Sequence, residues 1–417
     1  MKKITVFIFP ILWIFISCNA ENGAKQISDE DALKHVKQLL RNSPLIDSHN
    51  DVPWTIRNRS EAPRDIVAFD LRQNLDGDTD IPRLREGMVG AQFWSVFIPG
   101  EYGDYGYAKL QLEQIDIARR MIERYSKDLS LALTVDDIEN IFNEGKIASL
   151  IGIEGGHAIE NSLGALRSFY MLGARYMTLT HNVTLDWADA AMDEPKHHGL
   201  TDFGIEVIRE MNRLGMLVDL SHVTPKVMSD VLDVSESPII FSHSNARALT
   251  DHARNVPDSI LVRLQDNGGV VMLSFIPFFV SQECADWLEE KDKTIKGAST
   301  PDEFESLFTG MPKATIEHVI KHIEHVKNIA GIDHIGIGSD YGINYGSDFM
   351  PVGLEDVSKY PYLFVELIKN GWTDGDLKKI AGGNIMRVMR ENENNANRIQ
   401  KLRHPSTIAI EDLQSEN

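Results

Sequence analysis

The sequence predicts an α/β fold, a single (β/α)8 or TIM barrel, on three observations. Eight short apolar or β-branched runs are spread along the chain, and longer segments with apolar residues at helical spacing fall between most of them. His, Asp or Glu stands at or directly after most of the runs. Strands that alternate with helices pair in parallel through crossover connections, and eight such units close a barrel.

The expected strands cover residues 45–47, 91–97, 149–154, 176–179, 217–221, 238–242, 270–274 and 334–338. Helical patterns occupy 107–125, 162–172, 202–214, 225–232, 257–267 and 315–330. The long stretch between the first two strands contains a turn-rich segment, 74–80, that suggests an insertion or small hairpin. Residues 284–312 suggest a loop excursion with a short helix. Two more helical patterns within 354–390 complete the barrel, and the polar sequence after Glu391 is expected to be disordered.

The N-terminus carries a separate signal. Lys2 and Lys3 precede an apolar run, 4–16, that is too short to span a bilayer and is followed by Ser17 and Cys18. This pattern resembles a bacterial lipoprotein signal, with residues 1–17 removed and Cys18 acylated as the first residue of the mature protein. Phe15 stands where leucine is usual. Residues 18–30 then form a tether, 31–392 the (β/α)8 domain and 393–417 a polar tail, which puts the protein at the bacterial cell envelope, lipid-anchored to the membrane and facing the periplasm.

The chain has 417 residues, 42 Lys and Arg against 62 Asp and Glu, and a formal charge of −20, which argues against nucleic acid as a partner. After Cys18 the only cysteine is Cys284. An internal disulfide and a thiolate zinc cluster are therefore excluded, and any metal site must use His, Asp and Glu.

Such residues recur at strand ends. His49 and Asp51 follow the first strand, two apart, so both point the same way along an extended chain. Glu154 ends the third, His181 follows the fourth, His222 the fifth, His243 the sixth and Asp340 the eighth. The carboxyl ends of barrel strands are where such enzymes assemble their active sites. One histidine there is ordinarily a packing residue; four at four strand ends are too many for packing. His318, His322 and His325, by contrast, lie on a helix outside the barrel and are expected to be solvated, while His157 follows a glycine pair and is left unassigned.

Two zinc ions roughly 3.5 to 4 Å apart can share a carboxylate and a bridging water whose pKa falls to about 7, which supplies hydroxide for attack at neutral pH. The five ligands divide naturally with Glu154 shared: His49 and Asp51 complete one zinc, His222 and His243 the other.

At this point the residues resemble the membrane (renal or microsomal type) dipeptidases of the amidohydrolase superfamily. The resemblance spans about 45–390 and rests on ordered motifs: Asp47-Ser48-His49-Asn50-Asp51-Val52-Pro53, Gly152-Ile153-Glu154-Gly155-Gly156-His157, Thr180-His181-Asn182 with Trp187-Ala188-Asp189, Asp219-Leu220-Ser221-His222, Phe241-Ser242-His243-Ser244, Arg254-Asn255-Val256-Pro257-Asp258 and Gly353-Leu354-Glu355-Asp356-Val357. It implies the same five metal ligands and two zincs per chain. It further implies that Arg254 grips the substrate carboxylate, that His181 stabilises the oxyanion, and that Asp340 binds the α-ammonium group and assists proton transfer to the leaving amine. Dipeptides, including L-D dipeptides, are the implied substrates, and a homodimer the implied assembly. Two departures bear on selectivity: the second acid that commonly follows Asp340 is missing, since Tyr341, Gly342 and Ile343 come next, and Phe279 replaces a tyrosine.

Two rivals remain at the level of sequence. One is another hydrolysis on the same scaffold, such as a lactonase or deacylase, which would not need Arg254. The other is a lipoprotein that binds peptides without cleaving them, against which the intact ligand set argues.

Overall fold

The structure is a computed structural model that describes residues 27–73, 75–295, 308–342 and 349–414. Nine parallel strands run β1 (Leu45–Asn50), β2 (Val89–Ser95), β3 (Leu129–Leu131), β4 (Ile147–Glu154), β5 (Ala174–Thr178), β6 (Leu217–Asp219), β7 (Ile240–Phe241), β8 (Val270–Leu273) and β9 (Ile335–Ile337). They are ordered β2-β1-β9-β8-β7-β6-β5-β4, and pairing of β2 with β4 closes an eight-stranded barrel. The extra strand, β3, pairs with residues 147–149 of β4, while β5 pairs with 151–154, so the two share one edge of β4.

Each of the eight expected strands is present, shifted, shortened or lengthened by a few residues. β3 and the helix Val135–Asn143 were not expected: a three-residue strand in which only Leu129 is buried carries too little apolar pattern to stand out. The suggested hairpin is absent among the described residues, its place being taken by the helices Val52–Asn58 and Ile81–Glu86. The expected helix over 257–267 is split into Asp258–Leu261 and Leu264–Asn267.

Both ends of the domain differ from expectation. The helix Asp29–Leu40, capped by the Ser28 side chain, begins inside the expected tether. The expected disorder after Glu391 does not hold for residues 392–399: the helix Asn384–Ile399 runs through them and buries Val388, Asn392, Ala396 and Ile399 along one face. Only every fourth residue there needs to be buried, so mean polarity hides an amphipathic helix. Cys18 and the whole signal segment lie outside the described residues.

Two apolar layers flank the strands. Ile46, Ala91, Phe93, Ala148, Leu150 and Tyr176 belong to the smaller cluster, separate from the larger one between barrel and helices. Along β4, side chains alternate, so Ala148, Leu150, Gly152 and Glu154 share a face, and Glu154 ends that face at the barrel mouth. Gly152 makes room for Tyr176: a Cβ there would lie 2.0 Å from its ring.

Candidate active site

All the strand-end residues meet at the carboxyl end of the barrel, around the Glu154 carboxylate. Its Oε2 lies 3.3 Å from His49 Nε2, and its Oε1 lies 2.9 Å from His222 Nε2, 3.4 Å from His243 Nε2 and 3.8 Å from His181 Nε2. The two oxygens thus face two different sets of donors. His49 Nε2 is also 3.5 Å from Asp51 Oδ2 and 3.7 Å from Asp340 Oδ1. His222 and Asp340 reach the mouth through left-handed backbone, with φ of 72° and 68°. For residues other than glycine such conformations cost about 1–3 kcal/mol each and persist where the surroundings enforce them.

Hydrogen bonding sets the tautomers of two of these rings. Asn182 Oδ1 can only accept, so His222 Nδ1, 3.0 Å away, donates to it. Ser242 Oγ donates to Asp219 Oδ2 at 2.6 Å, which leaves it to accept from His243 Nδ1 at 2.8 Å. Burial pushes the pKa of both rings well below the ordinary histidine value, so each is neutral with its hydrogen on Nδ1. The two Nε2 lone pairs therefore face each other at 3.0 Å and also face the Glu154 carboxylate. Acceptors packed against acceptors repel unless a cation lies among them.

The other half of the cluster makes the same point. His49 Nε2 and Asp51 Oδ1 are buried with no hydrogen-bond partner among the described residues. Such orphaned groups are destabilising in a protein interior unless something satisfies them. Burial works to raise the pKa of Glu154, but the charge of neighbouring His49 helps to hold it well below the usual value. Three overlapping groups have ligand atoms within 4.8 Å of one another: His49, Glu154 and His243; Glu154, His181 and His222; and His49, Asp51 and Asp340. This donor set of imidazoles and carboxylates fits divalent cations.

A pocket of about 300 Å³ opens beside the cluster. Arg254 lines it, 6% exposed, with Nε and Nη2 lacking partners and its guanidinium carbon 5.0 Å from the centre of the Phe279 ring. Burial lowers the Arg254 pKa to about 10, which leaves the group cationic at neutral pH. Burial also raises Asp340 to about 7, helped by Asp51 and Glu154 and opposed by His49 and Arg254, and lowers His181 to about 4.

The membrane dipeptidase (peptidase family M19) model matches residues 33–403. Mouse dipeptidase 3 is 40% identical over 372 residues, covering 88% of this chain and 68% of its own length. This chain belongs to the membrane dipeptidase family. Membership makes it a hydrolase of the dipeptidase type and implies the metal cofactor that the cluster fits. Solved structures share the fold. The probable dipeptidase PvdM of Pseudomonas aeruginosa is 22% identical with a TM-score of 0.76, over 88% of this chain and 99% of its own. A Rhodobacter sphaeroides metallopeptidase liganded with a phosphinate mimic of L-Ala-D-Ala is 22% identical with a TM-score of 0.68, over 84% and 99%.

Several residues at this family site escaped sequence reading. Tyr176 places its hydroxyl 2.9 Å from His49 Nδ1, and Ser95 donates to Glu154 Oε2 at 3.1 Å. Tyr176 lies inside β5, and Ser95 ends β2 but fell inside the expected strand 91–97, so only the assembled barrel reveals them. His157 is buried with Nε2 2.9 Å from Ile98 O, a loop brace next to the site. His322, expected on the surface, is 1% exposed. The helix that carries it packs its His322 face against the loops after β7 and β8.

Proposed function

We propose that the chain is a binuclear zinc dipeptidase that hydrolyses short substrates with a free ammonium group and a free carboxylate, L-D dipeptides included. The observation that carries this reading is the division of Glu154: one carboxylate oxygen faces His49, the other faces His222 and His243. That arrangement suits a carboxylate shared by two cations, with His49 and Asp51 serving one and His222 and His243 the other. Bound there, the two zincs would activate a water for attack and polarise the scissile carbonyl.

The protein's own groups supply the rest. Arg254 presents unpaired N–H groups from an apolar wall, which suits bidentate capture of the terminal carboxylate. His181, neutral through burial, can donate a ring N–H to the developing oxyanion. Asp340, raised to about 7 by burial, can hold the substrate ammonium as a carboxylate and pass a proton to the departing amine near neutral pH. Charges fixed at both ends of so small a pocket favour dipeptides over longer chains. Phe279 supports the carboxylate end by stacking under Arg254 and offers no hydroxyl to substrate.

The fuller proposal adds acylation at Cys18, anchoring at the bacterial envelope and assembly as a homodimer. Glu154→Ala is expected to lose bound zinc, measured by elemental analysis, together with amino-acid release from a simple dipeptide, measured with ninhydrin. A Glu154→Ala protein with full activity would sink the metal assignment. For the anchor, Cys18→Ala should move the protein from the membrane to the soluble fraction.

A further inference from the structure

Arg254 has no hydrogen bond of its own from the guanidinium among the described residues, so its place depends on the chain around it. Two loops define that place: residues 242–257 after β7, which carry His243 and Arg254, and residues 274–282 after β8, which carry Phe279. Besides an exposed tie from Asp251 N to Gln282 Oε1 at 2.7 Å, they are cross-tied at three buried points. Asn245 Nδ2 donates to Ser274 O at 3.0 Å, and Asn255 Nδ2 donates to both Thr250 O and Phe279 O at 2.9 Å.

The third tie comes from outside the barrel wall. His322, on the helix Ile316–Ala330, accepts from Ala246 N through Nδ1 at 3.1 Å. Its hydrogen therefore sits on Nε2, which points at Val280 O, 3.2 Å away, and at Thr250 Oγ1, 3.4 Å away. A single imidazole thus uses one nitrogen for the Arg254 loop and the other for the Phe279 loop. We propose that His322 is a positioning residue, which holds these two loops in register and thereby fixes the guanidinium where a substrate carboxylate meets it.

A merely structural histidine would cost stability without favouring one end of the substrate. A positioning role is different: it acts through Arg254 and disappears when Arg254 is gone. The inference rests on the carboxylate-gripping role of Arg254, and a double-mutant cycle separates the two. KM and kcat for a simple dipeptide are measured for the zinc-loaded full chain, for His322→Leu, for Arg254→Ala and for the double variant. His322→Leu is expected to raise KM about tenfold with a smaller change in kcat, and to raise it no further in the Arg254→Ala background. His322→Gln, which keeps one acceptor and one donor, should restore most of the binding.

Equal effects of His322→Leu in both backgrounds, or none in either, overturn the positioning role while leaving Arg254 as the carboxylate ligand. If Arg254→Ala leaves KM unchanged, both readings fall. Should His322→Leu fail to fold, Asn255→Ala enters the same cycle, cutting only the tie to Thr250 O and Phe279 O, with the same expected loss of effect beside Arg254→Ala.

Discussion

Two sides of the barrel mouth are fastened by the same device, yet only one fastening reaches a ring that faces Glu154. Within β1, Asp47 Oδ1 accepts from the backbone N–H of His49 and Ser339, and Oδ2 accepts from Ser339 Oγ and the Tyr360 hydroxyl. At the end of β6, Asp219 Oδ1 accepts from the backbone N–H of Ser221 and Ser242, and Oδ2 from Ser242 Oγ and Thr178 Oγ1. In each case a buried carboxylate locks its own strand to the serine that follows the neighbouring strand. The difference is the next residue. Ser339 precedes Asp340, whereas Ser242 precedes His243 and takes its Nδ1 hydrogen at 2.8 Å. One fastening is architectural, and the other also sets which nitrogen of His243 carries the hydrogen.

Removing the carboxylate on the second side should have the largest effect. Asp219→Ala leaves two backbone N–H groups and two hydroxyls without their acceptor in a fully buried place, which should cost at least about 3 kcal/mol of stability. On the proposed zinc reading, zinc affinity should fall by roughly 10 to 100-fold as His243 loses its orientation. Chelator competition and denaturant melts measure the two losses. A variant that melts early yet binds zinc as tightly as the parent would erase the distinction between the two sides.

A smaller and cleaner contrast uses the serines. Ser242→Ala keeps the backbone contact to Asp219 but removes the hydroxyl between Asp219 and His243, so zinc affinity should drop about tenfold for little loss of stability. Ser339→Ala removes a hydroxyl of matching geometry and should cost about 1 kcal/mol of stability, with zinc affinity within about twofold of the parent. Equal zinc affinities for the two variants would show that the hydroxyl at Ser242 does nothing for its neighbour.

This contrast also explains how much was legible in the sequence. Strand-end positions revealed His49, Glu154, His181, His222, His243 and Asp340, because a polar residue that interrupts an apolar run is a local signal. The barrel followed from the same alternation. The fastenings were not legible, since Asp47 meets Ser339 and Tyr360 only after the first strand pairs with the last. Tyr176 and His322 were hidden for the same reason: their partners lie 127 and 76 residues away. The continuation of the last barrel helix past Glu391 was missed because one buried face among charged neighbours lowers mean hydropathy without weakening the periodicity.

The Asp47 side carries one more acid, the half-buried Asp78, and it yields the mildest test. Asp78 Oδ1 accepts from Gly342 N at 2.9 Å and from Thr79 Oγ1 at 2.8 Å, tying the chain after β9 to the segment before the helix Ile81–Glu86. Burial raises its pKa to about 7; Asp356 adds to this and Arg83 opposes it. In the unfolded chain the group ionises at the ordinary carboxylate value, about 4. Between about pH 4 and pH 7, then, the folded state binds a proton that the unfolded state does not, and stability falls as pH rises through that window before levelling above it. Asp78→Asn is neutral at every pH and its amide oxygen can accept the same two bonds. The difference in stability between variant and parent should therefore grow from pH 4 to pH 7 in favour of the variant and then stay constant. Denaturant melts at several pH values would show it, and a difference that is flat across the window would mean that Asp78 is ionised in the fold and that the Gly342 tie is an ion-assisted one.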